Sequence, residues 1–134
     1  MRLGDTFLNL NPGSPEHLWI VITDPEVLPF MVIVNLTSYR FGCDDTCRVV
    51  AGEHSFVSRD SVVAFERAQL LTPQQLQFIE GNGHCRMHEP VTAELIGRIQ
   101  QGVIASEFTP QKVRSIVEEY LRIAPSLPPP SNGV

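Results

Sequence analysis

Two kinds of apolar spacing divide the chain near residue 65. Up to that point the pattern is short β-type runs separated by turn residues. Thr6 to Leu10 is the first run, closed by Asn11-Pro12-Gly13-Ser14-Pro15, whose residue types favour turns. Leu18 to Ile22 and Met31 to Val34 are continuous apolar stretches joined through Asp24-Pro25 and Pro29. Runs of this kind predict strands buried on both faces or closed into a small barrel. Cys47 to Val50 and Val62 to Phe65 predict two further strands. No helical crossover separates them, which favours a small barrel over an α/β sheet.

Beyond Phe65 the period becomes helical. Thr72-Pro73-Gln74-Gln75 supplies an N-cap, a proline at the first helical position and a glutamine placed to complete a capping box, and Gly81 is the expected stop. Thr92 to Gln101 carries Leu95, Ile96 and Ile99 on one stripe, with Gly102 as the expected C-cap. After Thr109-Pro110, the residues Val113, Ile116, Val117, Tyr120, Leu121 and Ala124 recur at helical spacing and call for a partner surface, either the barrel or a second subunit. Pro125 to Val134 reads as a proline-rich flexible tail. The expectation is one domain over residues 1–124 and a tail over 125–134, in an α+β fold that is mainly β with two or three C-terminal helices.

Length and composition agree with this division. At 134 residues and 43% apolar, the chain is long enough to build a core without disulfides or metal. No apolar run approaches the length of a membrane span, and a polar turn interrupts the N-terminus before a signal-peptide core could form, so the expected location is cytoplasmic. Cys43, Cys47 and Cys85 are an odd number for a disulfide framework. The net charge of -5 argues against bulk attraction to nucleic acid, so any such contact needs a local basic patch.

The chain has no phosphate loop, dinucleotide turn, nucleophile elbow or HExxH motif. Its candidate chemistry lies at strand ends: His17, Thr37, Ser38, Asp45-Thr46-Cys47, His54, Ser58, Arg59, Asp60 and Ser61. Two histidines flanking a cleft can serve as general base and general acid, arginine can hold phosphate charge, and Ser or Thr can donate hydrogen bonds to it. That set suits RNA cleavage without a metal, in which the substrate's 2′-hydroxyl is the nucleophile. Cys43-Asp44-Asp45-Thr46-Cys47 and His84-Cys85-Arg86-Met87-His88 could be drawn as a zinc site. The spacing is looser than a Cys-x2-Cys pair, and Cys47 reads better as a buried small hydrophobe, so no metal and no cofactor are expected.

In order along the chain, several segments resemble the MazF/PemK toxin superfamily. Gly4-Asp5-Thr6-Phe7 resembles its first strand, and Glu16-His17-Leu18-Trp19-Ile20-Val21-Ile22-Thr23 its second. Val32-Ile33-Val34-Asn35-Leu36-Thr37-Ser38 resembles the third. Arg59-Asp60-Ser61-Val62-Val63, followed by Arg67-Ala68-Gln69-Leu70-Leu71, resembles the strand and the segment that precede the family's next helix. The match spans roughly residues 3 to 80. It implies a small SH3-like barrel, a homodimer, that cleaves single-stranded RNA without metal and is inhibited by a cognate antitoxin protein. Thr37 then corresponds to the family's catalytic Thr or Ser, and Ser61 to a residue of the strand beside the cleft.

His17 stands where the family usually has its catalytic arginine, and an imidazole cannot make arginine's bidentate contact. One consequence is chemistry carried by His17 and His54, with Arg59 or Arg40 supplying charge. The candidate catalytic set is therefore His17, Thr37, His54, Arg59 and Ser61, with Arg40 and Ser38 as RNA contacts. The alternative consequence is a non-catalytic relative, a protein-binding module or growth inhibitor.

Overall fold

The computed structural model describes residues 1–9, 16–81, 83 and 85–124. The turn expected at residues 11–13, Leu10 at the end of the first predicted strand, Asn82, His84 and the proline-rich tail lie outside the described residues. Seven strands and three helices follow in the order β1 (Thr6–Asn9), β2 (Leu18–Val21), β3 (Met31–Ser38), β4 (Arg48–Val49), β5 (Ser61–Val63), β6 (Gln69–Leu71), α1 (Pro73–Gly81), β7 (Cys85–His88), α2 (Ala93–Ala105) and α3 (Gln111–Ile123). The class is α+β, with an antiparallel sheet in the order β4-β5-β3-β2-β1-β7.

The eight-residue β3 organises this sheet. One of its edges pairs with β2, while the other serves β6 along Met31 to Ile33 and β5 along Leu36 to Ser38. Among the described residues no ladder joins β7 back to β4 or β6, so the sheet is open and the closed barrel expected from the sequence is not what the ladders form.

Helices on both sides bury the two faces without closure. Leu8, Ile20, Val32 and Val34 join the larger core with Leu95, Ile99 and Val103 of α2 and Val113 and Val117 of α3. Their immediate neighbours Phe7, Val21, Met31 and Ile33 point the other way, into a smaller cluster against which Leu76 and Ile79 of α1 pack. Successive strand residues face opposite sides, so covering both faces demands the uninterrupted apolar runs seen in the sequence. The α3 stripe is satisfied within its own chain.

The capping box is made: the Gln75 N–H donates to Thr72 Oγ1 at 3.2 Å and the Thr72 N–H to Gln75 Oε1 at 2.9 Å. Gly102 does not end α2, which continues to Ala105 with Ser106 as its cap. What position 102 requires is the absence of a side chain, since a Cβ there would lie 2.5 Å from Cζ of Phe65. Strands β6 and β7 were not legible from the pattern. Their three and four residues acquire strand geometry by pairing with β3 and β1.

Candidate functional site

One cavity, about 450 Å³ in volume, lies where the ends of β2, β3 and β5 meet the segment before β5. Its polar lining comprises His17, Thr37, Ser38, Arg59 and Ser61, together with Glu16 and Ser58, over an apolar floor of Leu36, Phe56 and Val57. Antiparallel pairing brings these residues together. The β3–β5 register sets Ser38 opposite Ser61 and Thr37 opposite Val62, while β2 enters beside β3 with His17 at its mouth. The Tyr39 N–H donates to the Asp60 carbonyl at 3.0 Å, which carries the same ladder one step further and fixes the backbone next to Arg59.

His17 is half-buried, and its Nδ1 faces the Leu36 carbonyl oxygen at 3.3 Å. A carbonyl only accepts, so Nδ1 carries the proton in the neutral ring and Nε2 keeps its lone pair. The Ser61 hydroxyl, in a residue only 8% exposed, donates to the Arg59 carbonyl at 3.0 Å. Ser61 therefore holds the backbone from which Arg59 projects. The side chains of Ser38, Ser58 and Arg59 are exposed and that of Thr37 is half-buried, which leaves three hydroxyls and one guanidinium available to an anion.

Two of the expected site residues lie elsewhere. Arg40 is exposed in the turn after β3 and is not part of the lining. His54, expected as an acid or base, is 4% exposed and does not line the cavity. Its Nδ1 accepts the Phe56 N–H at 3.0 Å, and its Nε2 donates to the Glu89 carbonyl at 2.7 Å. With both nitrogens engaged by backbone, His54 joins the loop that carries Phe56 and Val57 to the end of β7, and this placement corrects its assignment to the catalytic set.

Residues missed by sequence reasoning are Glu16 and Phe56. Glu16 directly precedes His17, which was its one signal; Phe56 had none, because only the folded loop brings it to the lining.

His54, His88 and Glu89 each offer a ligand atom within 4.8 Å of the others. The rings of the two histidines lie 5.1 Å apart. Like His54, His88 accepts a backbone N–H at Nδ1, from Glu89 at 3.0 Å. Both neutral rings thus carry hydrogen on Nε2, and neither presents a free lone pair to a cation. Ser55 hydrogen-bonds the Glu89 carboxylate and holds its pKa below the usual range. The group is a hydrogen-bonded latch. The cysteines do not join it, and burial pushes the Cys47 and Cys85 thiols up.

No helix among the described residues is long and apolar enough to cross a membrane. No family model matches the chain, and no curated protein matches it.

Proposed function

We propose that the protein is the toxin component of a toxin-antitoxin pair, of the MazF/PemK type, and acts in the cytoplasm as an endoribonuclease on single-stranded RNA without a metal. The observation that carries this reading is the convergence of His17, Thr37, Ser38, Arg59 and Ser61, drawn from three separated segments, around one cavity. The open sheet is read as an SH3-like barrel parted at one seam, its two unjoined sides linked by α1.

In the proposed reaction Nε2 of His17 takes the proton of the substrate's 2′-hydroxyl as that oxygen bonds to the adjacent phosphorus. The bond from phosphorus to the 5′-oxygen breaks, and that oxygen takes a proton from water, since His17 is the one histidine in the lining among the described residues. The Arg59 guanidinium faces the charge that builds on the phosphate, and the hydroxyls of Thr37 and Ser38 donate to its oxygens. The products are a 2′,3′-cyclic phosphate and a 5′-hydroxyl. Without a second imidazole to protonate the leaving oxygen, turnover is expected to be slow.

Incubation with a long single-stranded RNA in EDTA, followed by analysis of the product ends, tests the reading. Cyclic phosphate ends made by the wild type and lost in His17→Ala are the expected result. Inert wild-type protein, free of any antitoxin, would overturn it.

A second reading, a non-catalytic protein-binding module, is favoured by a different surface. Phe78 is 71% exposed on α1 and, with Leu71 and Ile79, lines an apolar groove of about 360 Å³. Under the first reading this groove is a surface for the cognate antitoxin or for a second copy of the chain, and under the second it holds the inhibited partner protein. Growth inhibition that survives His17→Ala and is lost in Phe78→Ser would select the second reading.

A further inference from the structure

Next to the cavity, the chain leaves β3 through a rim that the proposed reaction does not use. Thr37, Val62 and Arg48 stand opposite one another across β3, β5 and β4, so they share one face of the sheet. Tyr39 lies two residues beyond Thr37 and returns to that face. There the guanidinium of Arg48 sits over the Tyr39 ring, 4.0 Å from its centroid. Arg40, Phe41, Gly42 and Cys43 then form a tight turn, closed by the Cys43 N–H on the Arg40 carbonyl at 3.0 Å. Gly42 has a φ of +86°, the conformation a glycine serves at the third position of such a turn.

Phe41 sits at the second position of this turn and is 100% exposed. Nothing among the described residues packs on it. Its neighbours Arg40 and Gly42 are exposed, so it does not belong to the kind of apolar patch that forms the core of a protein interface. Nearby Asp44 is turned away, accepting from the Ser106 hydroxyl at 2.6 Å and from the Thr46 N–H at 3.0 Å. A solitary aromatic held out by a hydrogen-bonded turn, next to Arg40 in the chain and two residues after the Tyr39 ring that Arg48 covers, suits a base that stacks while its phosphates meet positive charge.

We infer that Tyr39, Arg40, Phe41 and Arg48 form a subsite for the nucleotide that flanks the scissile dinucleotide held in the cavity. This rests on the RNA reading above. Phe41 stacks the flanking base, and Arg48, steadied by Tyr39, contacts the phosphate that joins this nucleotide to the dinucleotide in the cavity.

Binding of two uncleavable 2′-deoxy probes in EDTA separates this inference from the reading beneath it. A dinucleotide spans the cavity alone, and a hexamer reaches the rim. The hexamer is expected to bind Phe41→Ala about 5- to 150-fold more weakly than wild type, the range of one lost base stack. The dinucleotide should be unaffected, and Phe41→Trp should restore hexamer affinity. Arg48→Gln should lower the salt slope of hexamer binding by about 1. Equal hexamer affinity in wild type and Phe41→Ala would overturn the subsite and leave the RNA reading standing, as would equal weakening of both probes. Failure of either probe to bind wild-type protein would overturn both.

Discussion

Nδ1 of His17 and the carbonyl oxygen of Leu36 face each other at 3.3 Å, and this one contact decides which ring nitrogen can act as a base. The contact leaves Nε2 unprotonated in the neutral ring without requiring a second side chain to orient it. His17→Ala is expected to lower RNA cleavage by about 100- to 10,000-fold, the range of a lost acid-base group. His17 is half-buried, so its circular dichroism and melting temperature should stay close to wild type. Equal cleavage by the two proteins would remove His17 from the mechanism.

His54 predicts the opposite pattern. Truncating it leaves the Phe56 N–H and the Nε2 side of the Glu89 carbonyl without their partner inside a packed loop. His54→Ala should cost roughly 2 to 4 kcal/mol in urea unfolding, from lost hydrogen bonds and the space left behind. Cleavage per folded molecule should remain within a few-fold of wild type at a temperature where the variant is folded.

Acid sensitivity should trace in part to Glu53. The Arg98 guanidinium, 2.5 Å from Glu53 Oε1, lowers the Glu53 pKa, with the Val50 N–H assisting. A carboxyl whose folded pKa is depressed contributes stability that is fully present above the unfolded value, near 4.3, and is lost as pH falls through the folded value. Both side chains are partly solvated, so the contribution is about 1 kcal/mol or less. Unfolding measured from pH 7 to pH 3 should show Glu53→Gln less stable at pH 7, with the difference from wild type closing towards pH 3.

Two glycines of α2 should respond in opposite directions to the same substitution. At Gly97 an added Cβ meets nothing within 4 Å, so Gly97→Ala should stabilise by about 0.5 to 1 kcal/mol through helix propensity. At Gly102 the same atom would be driven into Phe65, whose side chain is fully buried. Gly102→Ala should cost about 1 to 3 kcal/mol through overpacking. Melting temperatures of the two variants, compared with wild type, check both signs.

The sequence by itself determined the local elements. Unbroken apolar runs called for strands either buried on both faces or closed into a small barrel, the Thr72 to Gln75 capping box began α1, and the stripe from Val113 required a buried face on α3. Each of these depends on residues close together in the chain. Tertiary structure alone decided the pairing, and with it the site. His17, Thr37 and Arg59 meet because β3 has β2 on one edge and β5 on the other. His54, alike in composition to any catalytic histidine, is drawn into a latch because Glu89 and Phe56 offer it backbone partners. Strands β6 and β7 were illegible for the same reason, since so few residues carry no periodicity of their own and take their form from the partner beside them. Hydrogen-bonding partners across a sheet are chosen by packing of the whole chain, and side-chain type records neither the partner nor the direction in which a ring nitrogen points.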